Sequence, residues 1–200
     1  LSGAAACSST EAIWTAPDVE PVLDRQERGR LFSELADRLQ RRGLRANVYV
    51  IGGAAMAMLF DDRRVTRDID AVILHGHGPL TEEVRAIARE RGLPSTWLNE
   101  QAAAYVSRVA DTAQSIVFDH PNLSVAVAST EHLFAMKLIA ARASDAADIA
   151  QLATNLGVDD VASAERILQT VFPDRSLTDR ARLLLEDVLS LRDRSKPSSD

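Results

Sequence analysis

One cysteine, Cys7, occurs in the chain of 200 residues. It excludes an intrachain disulfide framework and a cysteine-rich zinc site. Aromatic residues are scarce, at 4%, which argues against the base-stacking sheets of single-strand nucleic-acid binders. No apolar run approaches the roughly 18 residues needed to span a bilayer, so no membrane partner is expected. Positive charge is in deficit: the net charge is −6, which speaks against a surface coated with phosphate-binding groups while leaving room for a local basic patch. The opening LSGAAACSST has the small residues of a lipoprotein cleavage site. It lacks the basic and long apolar segments of a signal peptide. It reads as a flexible tail, and a cytoplasmic location is expected.

What is present reads as an ordinary globular chain, 46% hydrophobic and 26% charged. Leu31, Leu35 and Leu39 recur every four residues, a helix that Arg41, Arg42 and Gly43 close. Residues 47–51 and 67–74 read as strands, with Gly52-Gly53 and the apolar run AAMAMLF between them as a short buried helix. HGHGP reads as a turn, Thr81 as the cap of the next helix, and residues 96–110 as helical. Short strands at 115–118 and 123–128 precede four helices, at 131–142, 145–156, 160–171 and 176–191. Strands early and helices late predict an α+β fold. Its expected organisation is a disordered tail at 1–17, a core at 18–128, a helical C-terminal lobe at 129–194 and a second disordered tail at 195–200.

The chemistry concentrates in VYVIGGAAMAMLFDDRRVTRDIDAVIL. Side chains on a strand alternate faces, so Thr66, Asp68, Asp70 and Val72 share one face and Ile69, Ala71 and Ile73 the other. Two carboxylates at this spacing sit about 7 Å apart and repel one another. Oxygen ligands of this kind suit Mg²⁺, which takes one or two carboxylates and completes its shell with water and substrate phosphates. Gly52-Gly53 supplies the complement, because a glycine pair at a helix N-terminus lets backbone N–H groups approach a phosphate. Arg63, Arg64 and Arg67 add positive charge to the same loop. Each feature alone has a bland reading, as a tight turn or a solvated strand edge. Their order and spacing favour the chemical one.

This stretch resembles the signature of the DNA polymerase β-like nucleotidyltransferase superfamily: a glycine pair, a short helix, then an Asp-x-Asp strand. More narrowly it is similar to the AbiEii-type toxin branch, through Gly52, Gly53, Arg64, Thr66, Asp68 and Asp70. A second block resembles the later motif of that family, a strand followed by a helix bearing Lys137 and Arg142, then Asp145 and Asp148. TWLNE around Trp97 is similar to a tryptophan-containing block of one small subfamily. The likeness covers residues 47 to 153. It implies a small mixed nucleotidyltransferase sheet flanked by helices. It also implies a toxin, paired with a cognate antitoxin, that transfers NMP from an NTP to the 3′ end of tRNA. Asp68 and Asp70 would hold Mg²⁺, Gly52, Gly53, Thr66 and Arg64 would line the nucleotide site, and Lys137 would neutralise the triphosphate. Many members of the superfamily carry a third carboxylate on a neighbouring strand, and LSVAVA has none. Asp119 reaching in, Asp145 or Asp148 substituting, and a site with two carboxylates all remain open. Two other functions share the motif: a protein nucleotidylyltransferase, and a non-catalytic nucleotide-binding antitoxin or regulatory module.

His75 and His77, with only His120 and His132 elsewhere, fall short of a zinc site. The arginines at 25, 28, 30, 38, 41, 42 and 45 alternate with Glu27, Glu34 and Asp37. They read first as a solvated helix face and second as a grip on an RNA backbone. Lys137, among Leu133, Phe134, Met136 and Leu138, either snorkels from the core edge or reaches phosphate oxygens.

Overall fold

The computed structural model describes residues 22–61 and 63–195. The tails expected at 1–17 and 195–200 lie outside the described residues, apart from Ser195, which ends the last helix. In chain order the elements are α1 (Arg25–Arg41), β1 (Ala46–Val50), α2 (Gly52–Phe60), β2 (Ile69–His75), α3 (His77–Arg91) and β3 (Leu98–Asn99). After a 3₁₀ turn at Ala103–Tyr105 come β4 (Ser115–His120), β5 (Leu123–Val127) and α4 (Thr130–Ala140). A second 3₁₀ turn, Ala143–Asp145, leads to α5 (Ala146–Leu156), α6 (Val161–Val171) and α7 (Asp179–Ser195). The α+β class follows from these elements. The buried apolar side chains, from Leu31 and Val50 to Phe134, Leu152 and Leu185, form one continuous cluster.

The five strands form one mixed sheet in the order β3-β2-β1-β5-β4. β1 runs antiparallel to β2 and parallel to β5. This arrangement decides where the chemistry falls. Because β1 and β5 are parallel, α2 and α4, which follow them, start at the same end of the sheet. Because β2 is antiparallel to β1, its first residues lie at that end too. Gly52, Asp70 and the start of α4 therefore converge although they lie far apart in sequence.

α1 packs against β4 and β5 and beside α3. Its apolar stripe is buried through Leu31, Leu35 and Leu39, and Asp24 caps it by accepting the Glu27 N–H at 2.7 Å. The arginines of this helix are largely committed to ion pairs. Arg38 reaches Glu34, Glu83 and Glu90, and Arg42 reaches Glu82 and Glu83. The buried Arg28 donates to the carbonyls of Leu23 and Arg64. The basic run thus joins α1 to α3, which favours the solvated-face reading over the RNA grip.

Two elements differ from the sequence reading. Residues 96–110 are not a helix. Trp97 is fully buried, its indole N–H donates to the Val84 carbonyl at 3.0 Å, and its carbonyl accepts from Ile69 N at 2.7 Å. That anchoring draws Leu98 and Asn99 into parallel pairing with β2, so tertiary pairing overrides local helix propensity. α3 begins at His77 rather than at Thr81, with Gly76 as its cap. Pro79 is tolerated because the first turn of a helix has no intrahelical use for its N–H groups. The Thr81 hydroxyl donates back to the His77 carbonyl.

Gly76 has φ +74, and a Cβ there would meet the Arg45 carbonyl oxygen at 2.3 Å. Gly76→Ala combines left-handed strain with a backbone clash, and it should cost roughly 3 kcal/mol or more. The check is the urea midpoint at unchanged slope.

Candidate functional site

A cleft with an empty volume of about 480 Å³ opens at the end of the sheet where the two parallel strands give way to their helices. Its polar lining is Gly52, Gly53, Asp70, Lys137, Arg142 and Asp145, and Ile51, Leu133 and Met136 contribute apolar wall.

Gly52 is required twice. Its φ of +67 is unfavourable for any residue with a Cβ, and that Cβ would lie 3.0 Å from Asp70 Oδ2. The backbone therefore lets a carboxylate pack against the first turn of α2. The Ile51 N–H donates to the Asp70 carbonyl at 2.9 Å, which locks the junction. No side chain caps α2, and its first turn carries no acidic residue. Its N-terminal N–H groups and dipole remain available to an anion.

Asp70 lies on β2, and Asp68 lies one residue before the strand. Burial raises the proton affinity of Asp70 above the ordinary carboxylate value, and the neighbouring Asp68 raises it further, against the opposing pull of Arg142 and Lys137. Asn99, the β-partner of Asp70, donates its amide to Asp68 Oδ2 at 3.1 Å. Asn99 thus orients one member of the aspartate pair. The sequence reading missed this role because it took residues 96–110 as a helix.

The second wall is an ion-pair cluster. Arg64 forks onto Asp148 at 2.6 and 3.3 Å. The Lys137 ammonium lies 2.7 Å from Asp145 and 2.8 Å from Asp148. Lys137 and Asp148 are only 7% and 6% exposed. Burial alone would raise Asp148, but hydrogen bonds from Arg64 and Lys137 outweigh it and hold the carboxyl below its ordinary value. The Lys137 ammonium therefore does not snorkel to water; it is ion-paired with two carboxylates at the cleft.

Thr66 pairs through its backbone with Leu23, and its buried hydroxyl has no hydrogen-bond partner among the described residues. Asp119 is exposed on β4, opposite Ser124, and does not line the cleft. His77 bonds Glu100, whose other oxygen accepts the Ile73 N–H at the sheet edge. Among the described residues no group of three or more His, Cys, Asp or Glu is placed to hold a metal ion. The aspartate pair fits a divalent cation that takes its remaining ligands from water and phosphate: both donors are hard oxygens, and their mutual repulsion is the kind a cation relieves.

An uncapped helix start beside an aspartate pair is a place to hold a charged phosphate chain next to oxygen ligands. Residues 29–176 match the family described as Nucleotidyltransferase of unknown function (DUF6036), and the chain belongs to that family. It is a nucleotidyltransferase, with a nucleoside triphosphate as substrate. No curated protein and no solved structure matches the chain. Among the described residues no helix is long and apolar enough to cross a membrane.

Two outcomes follow from the electrostatics. Lys137→Met keeps the volume of the stem and removes the ammonium, which leaves Asp145 and Asp148 short of a partner. It should destabilise the fold by about 3 kcal/mol in urea unfolding. Asp70 binds its proton more tightly when folded, so its ionised form burdens the folded chain at neutral pH and not in acid. Asp70→Asn should raise Tm at neutral pH without divalent cation, and the gain should shrink as pH falls through the raised range of Asp70 toward about 4 and be gone below it.

Proposed function

We propose that the chain is a metal-dependent nucleotidyltransferase of the AbiEii toxin type, which transfers NMP from an NTP to the 3′ end of tRNA. Its activity would be held in check by a cognate antitoxin. The observation that carries the catalytic part is the close approach of Asp70 to the first turn of α2, where a Cβ on Gly52 would lie only 3.0 Å from the carboxylate. That approach brings a phosphate cradle and an oxygen-ligand pair to one spot. The acceptor and the toxin role rest on the resemblance of the two sequence blocks.

Asp68 and Asp70 would hold Mg²⁺, which when bound neutralises phosphate charge and lowers the pKa of an attacking hydroxyl. The N–H groups of Gly52 and Gly53 receive phosphate oxygens at the positive end of α2. Asn99 keeps Asp68 turned toward the site. Thr66, through its bridge to Leu23, fixes the approach of the loop to Asp68. Lys137 and Arg64 border the phosphates as members of the cluster centred on Asp148. The acceptor oxygen bonds to the α-phosphorus, and the bond from that phosphorus to the bridging oxygen breaks. Pyrophosphate leaves with the bonding pair, and the hydroxyl proton passes to the carboxylate pair and on to water.

One observation favours a second acceptor. The arginines of α1 are drawn into pairs with α3, which leaves less free charge for an RNA backbone and suits a hydroxyl on a protein.

The test is incubation of the chain with labelled NTPs, Mg²⁺, total tRNA and lysate protein. Label should appear at the tRNA 3′ end, and Asp68→Ala or Asp70→Ala should lower the single-turnover rate by roughly a thousandfold or more. Label on protein instead would establish the second acceptor. Retained activity in Asp68→Ala would overturn the mechanism.

A further inference from the structure

The three cations around the cleft are not equivalent. Arg64 and Lys137 are matched by Asp145 and Asp148 within hydrogen-bonding distance. Arg142 lines the same cleft, and among the described residues no carboxylate pairs with it. Its guanidinium carbon lies 5.5 Å from the centre of the Tyr105 ring, within the range in which an aromatic face attracts a cation. A ring holds a guanidinium in place without cancelling its charge, as a carboxylate would. All five N–H donors remain free for oxygen ligands.

The backbone is arranged to the same end. Ala141, immediately before Arg142, is the only described non-glycine residue with positive φ, at φ 45 and ψ 43. It is almost fully buried, at 3% exposed. Strain of this kind persists where the surroundings enforce it. Here it ends α4 abruptly and turns the chain so that Arg142 faces the cleft while Lys137, one turn earlier, stays in the ion-pair cluster. The 3₁₀ turn at Ala103–Tyr105 brings the ring to meet it.

We propose that Arg142, held on the ring of Tyr105, is the residue that binds the pyrophosphate portion of the nucleotide, and that Tyr105 is its positioning residue. This rests on the reading of the cleft as the nucleotide site. The charge that develops on the bridging oxygen, as its bond to the α-phosphorus breaks, needs a donor with positive charge to spare. Arg64 and Lys137 have theirs matched. Arg142 lies near enough to the aspartate pair that its charge opposes the rise in Asp70 proton affinity. A planar fork also suits two phosphate oxygens at once.

The probe is inorganic pyrophosphate with Mg²⁺, titrated calorimetrically into the full chain, alongside single-turnover nucleotide incorporation. Arg142 is exposed, so its variants should fold, and unchanged Tm verifies this. Arg142→Met should weaken pyrophosphate binding about tenfold or more and slow incorporation by roughly a hundredfold, and Arg142→Lys should recover part of each. Tyr105→Leu should weaken pyrophosphate binding several-fold, and Tyr105→Phe, which keeps the ring, should restore it. Pyrophosphate binding by Arg142→Met equal to the parent overturns the proposal. Equal damage from Tyr105→Phe and Tyr105→Leu overturns the part assigned to the ring. If the parent incorporates no nucleotide yet binds pyrophosphate through Arg142, the functional reading fails and the anion site stands. If Asp70→Ala abolishes incorporation while Arg142→Met does not, the functional reading stands and the anion site fails.

Discussion

A carboxylate almost closed off from water holds the two halves of the molecule in register. Asp148 lies in the first turn of α5, beyond the sheet, yet its oxygens are taken by Arg64, from the loop before β2, and by Lys137, from α4. Desolvating such a group is expensive unless its charge is met at close range. The buried position is tolerable only when three separate segments arrive together. The same contact that relieves Asp148 fixes one wall of the cleft and sets α5 against α4. The interaction therefore contributes position at least as much as stability.

The topology supplies the other half of the convergence. Two parallel strands side by side, each followed by a helix, place two helix starts at one sheet end. An antiparallel neighbour brings its own first residues to the same place. Nothing in the local sequence around Gly52 or Lys137 states that the two will meet. They do because β1 and β5 are adjacent and point the same way, and the bulk that a Cβ would add at Gly52 is absent where Asp70 must fit.

Some of this was legible beforehand and some was not. The aspartate pair and the glycine pair announce themselves through strand alternation and the glycine signal before an apolar run, and the structure brings Asp70 against Gly52. The α+β class and the late helices follow from periodicity. Asn99, although inside the TWLNE block, carried no strand signal, and Tyr105 carried none. One sits on a strand two residues long that exists only because Trp97 is anchored beneath α3. The other sits in a 3₁₀ turn with no periodicity of its own. The arginines of α1 illustrate the reverse failure. Composition shows seven positive charges between residues 25 and 45 and not the glutamates of α3 that meet two of them. The ion pairing of Lys137 was hidden for a related reason. Its apolar helical neighbours are visible in sequence, and the two aspartates that reach it from the following turn and helix are not.

Charge arithmetic ties the cluster to the chemistry. Around the cleft, four carboxylates, Asp68, Asp70, Asp145 and Asp148, stand against three cations, Arg64, Lys137 and Arg142. Two of those cations are spent on Asp145 and Asp148. What remains to meet a nucleotide is one arginine outside the ion pairs and a helix start on one side, and two carboxylates outside the ion pairs on the other. A polyphosphate arriving alone would gain from the first and be repelled by the second. A divalent cation alone would meet the carboxylate pair but would lack the ligands that phosphate oxygens provide. Each removes the obstacle to the other. In the proposed reaction, cation and nucleotide should therefore bind with strong mutual dependence, which is positive coupling in the thermodynamic sense. A cleft whose cations were all free would bind phosphates indiscriminately. By matching Arg64 and Lys137 internally and leaving Arg142 on an aromatic ring, the fold reserves its spare positive charge for one part of the ligand.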